Sequence, residues 1–224
     1  MFADVKNNLL FVTTNHGRDI KKIKLDFTPS EVSFHELEPS VFVVLDKHDS
    51  SHKLWVTEDF GNTFKQTQNF VKSFYWVKES DFRHTLVVQR MEPSGYNAIL
   101  YSNDLFSNRS VMVQATDIKD FYVKGDYLFT TKSSSKGALE LYVSYKLGKK
   151  VKCVFDTQLE IRSYFIVDVT SNRALVTISH SDTVSHLYVS ENLDSGNGIV
   201  KFTLSLENVL CYFPNSTWHD TWIQ

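Results

Sequence analysis

The chain has 224 residues with 42% hydrophobic and 22% charged composition, the make-up of one folded domain rather than a disordered segment. Its net charge of -2 comes without long like-charge blocks, which argues against nucleic acid or an anionic membrane surface as partner. Apolar runs stop at about five residues, far short of the ~20 needed to span a bilayer as a helix. Two cysteines exclude a disulfide framework or a zinc ribbon. The first residues lack the basic start and apolar stretch of a signal peptide.

Aromatic residues reach 14%, with 17 Phe and 10 Tyr against 8 Gly and 4 Pro. Aromatic and β-branched side chains suit a half-buried pleated surface. Few windows carry apolar residues at helical spacing. Short apolar runs bounded by polar turns recur instead, and they predict an all-β chain. In chain order the expected strands are 10–13, 20–25, 41–45, 54–57, 73–76, 86–89, 99–102, 111–114, 120–123, 128–131, 141–144, 151–155, 163–166, 175–178, 187–190, 202–206 and 210–213.

A repeat organises them. Apolar residues followed by Ser or Thr occur at Leu10-Phe11-Val12-Thr13, Leu54-Trp55-Val56-Thr57, Ile99-Leu100-Tyr101-Ser102, Leu141-Tyr142-Val143-Ser144 and Leu187-Tyr188-Val189-Ser190. The hydroxyl residues Thr13, Thr57, Ser102, Ser144 and Ser190 lie 44, 45, 42 and 46 residues apart. Each anchor strand is third of four, and four strands per ~40–50 residues is the signature of a propeller blade. A lone blade cannot bury both faces, so the blades must stack.

The turn after the second anchor, Thr57-Glu58-Asp59-Phe60-Gly61-Asn62-Thr63-Phe64, fits the Asp-box pattern of Ser/Thr, Asp, Gly and an aromatic. The Asp59 carboxylate is expected to accept backbone N–H groups of its own turn, Gly61 to supply a positive φ, and Phe64 to pack beneath. Thr13-Thr14-Asn15-His16-Gly17 is a copy with Asn for Asp. Ser102-Asn103-Asp104 lacks the Gly, Ser144-Tyr145-Lys146-Leu147-Gly148 has Lys for Asp, and Ser190-Glu191-Asn192 leads into an insertion. The chain is expected to begin inside one blade, with that blade's first two strands missing, and to end inside another. It thus reads as about five blades cut from a larger ring, with exposed blade faces that would make it poorly soluble alone.

The segments Leu54-Trp55 with Asp59-Phe60-Gly61, Val71-Lys72-Ser73-Phe74, Glu92-Pro93-Ser94-Gly95-Tyr96, Ser179-His180-Ser181, Leu187-Tyr188-Val189-Ser190-Glu191 and Ser205-Leu206-Glu207-Asn208-Val209-Leu210 resemble the vacuolar-protein-sorting-ten domain of the sortilin receptor family. That resemblance implies a ten-bladed lumenal propeller on a type I membrane receptor. Such receptors bind peptides and proteins and carry them between Golgi, endosomes and the cell surface. It also implies that an extended peptide end sits in the propeller tunnel, against positions matching Phe129, Thr131, Leu141, Tyr164 and Ile166. Where the family's best-known pocket holds the peptide carboxylate with an arginine, this chain has Leu139; Arg162 and Lys132 are the nearest basic residues. The competing expectation is that Phe129, Leu141 and Ile166 are blade-packing residues.

Two other function classes leave sequence signatures that can be sought. A sialidase-like glycosidase needs three converging arginines and a Tyr nucleophile paired to a carboxylate; the chain has six arginines, Arg18, Arg83, Arg90, Arg109, Arg162 and Arg173, and no Arg-Ile-Pro motif. A cytoplasmic Trp-Asp-repeat scaffold would carry Gly-His and Trp-Asp dipeptides, and neither occurs. No cofactor is implied. His48 and His52 are four apart but fall in a polar loop, where that spacing carries no metal-binding logic. Asn108 and Asn215 are glycosylation acceptors if the chain is lumenal. Cys153, on an expected outermost strand, and Cys211, on an innermost strand two blades on, are too far apart to pair; each is expected to act as a small buried hydrophobe.

Overall fold

A computed structural model describes residues 2–77, 84–107, 111–194 and 198–209. Among the described residues all regular structure is strand, and the chain divides into two compact units, Met1–Lys119 and Asp120–Gln224.

The first unit begins with β1 (Phe2–Asp4), β2 (Leu9–Val12) and β3 (Lys21–Lys24), an antiparallel meander. A four-stranded meander follows: β4 (Glu31–Phe34), β5 (Phe42–Asp46), β6 (Lys53–Thr57) and β7 (Lys65–Gln68). The unit closes with the antiparallel run β8 (Val71–Trp76), β9 (Leu86–Met91), β10 (Asn97–Ser102) and the first part of β11 (Met112–Lys124), which forms one end of an 11-stranded sheet. The second unit holds the remainder of β11 with β12 (Tyr127–Ser133), β13 (Leu139–Tyr145) and β14 (Val151–Phe155). It then adds the meander β15 (Ser163–Thr170), β16 (Arg173–Ser179), β17 (Ser185–Ser190) and β18 (Ile199–Leu206).

The anchor strands are β2, β6, β10, β13 and β17: Thr57, Ser102 and Ser190 end theirs, Thr13 follows β2, and Ser144 is followed in β13 by Tyr145. Burial explains their composition. All five residues of β5 are buried. Successive side chains of a strand point to opposite faces, so Phe42 and Val44 join Leu10, Val12 and Phe27 on one side. Val43 and Leu45 join Leu54, Val71 and Leu86 on the other. A strand packed on both faces reads as an unbroken apolar run, not an alternation. Within the second unit the same stacking puts Phe129, Leu141 and Val143 against Tyr164, Ile166 and Val176.

Several expectations are corrected. The first sheet has a strand before its anchor, because Phe2–Asp4 pairs with Leu9–Phe11. Strands β4 and β7 were not anticipated; both are short, with mixed polar sequence and no buried residue, as suits sheet edges. The expected strands 111–114 and 120–123 are one strand, β11, with a register shift against β10 near Ile99 that absorbs the bend. The strand bearing Cys153 is not outermost: β14 pairs with β13 on one side and runs parallel to β18 on the other, Cys153 opposite Val200. Cys153 is a buried free cysteine. The expected strand 210–213, Cys211, Asn108 and Asn215 lie outside the described residues.

Candidate ligand-binding surface and its supporting turns

The turn after β6 is organised by one hydroxyl and one carboxylate. Thr57 Oγ1 donates to Asp59 Oδ1 at 2.8 Å and accepts from the backbone N–H of Gly61 at 2.9 Å. Asp59 accepts from Thr63 twice, backbone N–H to Oδ1 at 2.9 Å and hydroxyl to Oδ2 at 2.7 Å. Those donors hold the Asp59 carboxyl down at about 2, the Thr63 backbone N–H contributing most. Phe60 and Gly61 both take positive φ, 56° and 78°. A Cβ on Gly61 would lie 2.8 Å from Ile23 Cδ1 and 3.3 Å from Phe64, so glycine is required for space as well as for φ. Phe64 packs beneath, edge-on to Phe27 at 5.4 Å and to Phe42 at 5.9 Å.

The copies differ in ways the sequence pattern hides. The turn after β2 reproduces the geometry with Asn15: Thr13 Oγ1 donates to Asn15 Oδ1 at 3.1 Å, and Asn15 Oδ1 accepts from the Asp19 N–H at 2.9 Å. The turn after β10 has no glycine yet keeps the arrangement. Ser102 Oγ accepts from the N–H groups of Asp104 at 3.2 Å and Phe106 at 3.1 Å, and donates to Asp104 Oδ1. Phe106 adopts φ 60° in the glycine position and is held there by burial of its ring. After β13 the positive φ values fall one residue earlier, on Lys146 and Leu147, and Gly148 N–H donates to Tyr145 O at 2.7 Å. After β17 the hydroxyl faces a neighbouring strand instead: Ser190 Oγ accepts from Ala174 N–H at 2.8 Å.

The residues expected to face a peptide are brought together, but as interior. Phe129, Leu141, Tyr164 and Ile166 belong to one core cluster. Thr131 is buried as well, its Oγ1 accepting from Asp120 N–H at 3.0 Å. Tyr164 donates its hydroxyl to Leu139 O at 3.0 Å, and Tyr122 donates to Tyr164 O at 3.1 Å. These two bonds stitch β11, β13 and β15 together, and burial raises both phenols far above their ordinary range. Tyr122 and the Leu139 carbonyl were missed by sequence reasoning, because a side chain bonding a distant carbonyl leaves no spacing signature. Arg162 alone of the set is exposed, paired with Asp182 at 3.1 Å. The surface left beside these side chains is the outer edge of β15, which has one strand neighbour, β16, among the described residues.

Other candidates resolve simply. Asp46 accepts from the backbone N–H of Thr28, His48 and Asp49, so the loop carrying His48 and His52 is built around a carboxylate. No group of three His, Cys, Asp or Glu suited to a metal occurs among the described residues. Arg162 and Arg173 sit at opposite ends of the β15–β16 hairpin, so they do not converge; Arg83 and Arg109 lie outside the described residues. Among the described residues no helix is long and apolar enough to cross a membrane.

Comparison with known proteins agrees with the motif resemblance. The Sortilin-Vps10 family model, described as "Sortilin, neurotensin receptor 3", matches residues 1–217. The sortilin-related receptors of Homo sapiens and Mus musculus are 31% and 30% identical to this chain over its full length. The chain spans 10% of the length of those receptors. Among solved structures, the GH74 xyloglucanase of Xanthomonas campestris aligns over 89% of this chain and 32% of its own, at a TM-score of 0.49 and 12% identity, too loosely to bear on function. With only strands as regular structure among the described residues and a family match along almost its whole length, the chain belongs to the Sortilin-Vps10 family.

Proposed function

We propose that this chain is a ligand-binding, non-catalytic propeller segment of a sortilin-related sorting receptor, about five blades of a ten-bladed ring, with Asp-box turns at its anchor strands. The observation that carries the reading is the five-fold repeat at even spacing, joined to a receptor identity of 31% along the whole chain. Its setting is the lumenal or extracellular part of a type I membrane receptor moving between Golgi, endosomes and the cell surface. Its ligands are peptides or proteins, with no direct contact to membrane or nucleic acid. Asn108 and Asn215 carry glycans in that setting.

The proposed peptide site is the region of Phe129, Thr131, Leu141, Tyr164, Ile166 and Arg162. Since all but Arg162 are buried, the peptide adds along the open edge of β15 and takes its affinity from main-chain hydrogen bonds, with the buried side chains as the wall behind. Fluorescence anisotropy with extended ten-residue peptides tests this. Amidating the peptide's C-terminus should leave affinity within about twofold, whereas alternate proline substitutions, which remove N–H donors, should abolish binding. A large loss on amidation would instead show Arg162 holding a carboxylate, and tolerance of proline would move the ligand off the strand edge.

A further inference from the structure

We propose that this chain associates head to tail, the outer face of its first sheet, β1–β3, packing on the outer face of the β15–β18 meander of a second copy. Each of these sheets is packed into its unit's core by one face only.

Register defines the first outer face. Phe2 pairs with Phe11 and Phe11 with Lys22; two residues along, Asp4 pairs with Leu9 and Leu9 with Lys24. Alternation puts these side chains on one face and Ala3, Leu10 and Ile23 on the other, where they join the core with Phe42 and Val44. The outer face is apolar nonetheless. Phe2 is 65% exposed and Ile20, just before Lys22 on the same side, 63% exposed. The Phe2 and Phe11 rings lie 5.9 Å apart, and Lys22 and Lys24 are exposed beside them. The second outer face is built the same way. Phe165, Thr177, Leu187 and Leu206 form one row across the four strands. Leu175 and Val189 stand side by side in the next, with Asp168 at its end. Tyr164, Val176, Tyr188 and Phe202 point the other way, into the core. Leu206 is 56% exposed, and Phe165, Leu175, Leu187 and Val189 are half-buried.

Stacked repeats stay soluble when their terminal units carry a polar outer face. Here both terminal faces are apolar, so each calls for cover. Charge decides which meets which. Two first-sheet faces together would set Lys22 and Lys24 against another copy of themselves, and like charges across an interface are strongly unfavourable. Two meander faces together would leave Phe2 and Ile20 open. The meander face offers Asp168 to the lysines, its Oδ2 accepting from the Thr170 hydroxyl at 2.6 Å. Lys201, farther along β18, has the Glu191 carboxylate beside it, Glu191 Oε1 accepting from the Lys201 N–H at 3.1 Å. The contact is therefore heterologous, one face of each kind. Limited by a three-stranded sheet, it is smaller than a standard interface, and the association is weak.

Sedimentation velocity on the 224-residue chain provides the test. The weight-average mass should rise above that of one chain between about 5 and 200 µM. Ile20→Asp on one face or Leu206→Asp on the other, both at exposed positions, should each weaken association at least about tenfold with the melting temperature unchanged. Open chains that pellet should disappear in either variant. Mixed in equal amounts, the two variants should form pairs and go no further, because each supplies the intact face the other lacks. Lys22→Glu combined with Lys24→Glu should weaken association about three- to tenfold. A chain that stays monomeric throughout this range would overturn the proposal and leave both faces to other segments of a longer receptor. Self-association or pelleting that survives in either single variant would mean that like faces meet, and mixed variants that stay monomeric would place the contact elsewhere; both overturn it. Peptide addition at the β15 edge is titrated on the Ile20→Asp variant, so the two proposals fail separately.

Discussion

Replacing Asp59 by alanine removes the acceptor for the Thr57 hydroxyl and for the Thr63 N–H and hydroxyl. A carboxyl lowered from 3.8 to about 2 prefers its ionised, hydrogen-bonded form in the fold by roughly 2.4 kcal/mol. Asp59 is only half-buried and water screens and partly replaces these bonds, so a loss of about 1–1.5 kcal/mol is expected. The sign in pH follows. The folded value lies below the unfolded one, so the contribution is complete above about pH 4 and fades as pH falls toward 2. Asp59→Asn should cost less than alanine at neutral pH, because Asn15 already fills this role with an amide oxygen in the turn after β2. It should also flatten the acid limb. Urea unfolding followed by tryptophan fluorescence, at pH 7 and pH 3, measures both. Lys146→Ala is the control and should change little. Alanine and asparagine variants of equal stability would refute the carboxylate-centred account, as would an alanine variant matching Lys146→Ala.

Gly61→Ala should cost about 2 kcal/mol or more in thermal unfolding, since its Cβ meets Ile23 at 2.8 Å, whereas Gly17→Ala, with φ +87° but open space, should cost about 1 kcal/mol from backbone strain alone. Tyr164→Phe leaves the Leu139 carbonyl without its donor and should cost about 1–3 kcal/mol, and Tyr164→Ala roughly 3–5 kcal/mol with a lower melting temperature, both read by the same urea titration. Binding data on Tyr164→Ala are therefore interpretable only beside its unfolding curve. In a Cys211→Ser background, Cys153 should resist thiol reagents at pH 8 until urea unfolds the chain, because burial raises its thiol well above the ordinary range; rapid labelling of the folded protein would contradict the packing of β14.

The all-β class, the five anchors and most strand positions were legible in the sequence, because each rests on local chemistry. An apolar run ending in a hydroxyl makes its own strand and turn, as Leu54–Thr57 does, and Asp59 bonds within six residues of itself. Sheet edges were not legible. Residues of β4 and β7 are half polar and unburied, so composition alone cannot mark them as strands. Glycine in the turn motif overstated its own importance, since Phe106 holds the same positive φ with its ring anchored in the core.

What only the tertiary structure decided is pairing between segments distant in the chain. The parallel β14–β18 contact joins strands about 47 residues apart, and no sequence period encodes which edge meets which. The Tyr122 and Tyr164 hydroxyls bond carbonyls 42 and 25 residues away. Backbone carbonyls are identical at every position, so no residue identity marks the acceptor in advance. Burial of Phe129, Leu141 and Ile166 is likewise a property of stacked sheets, because an apolar side chain on a strand reads the same whether it lines a groove or fills a core.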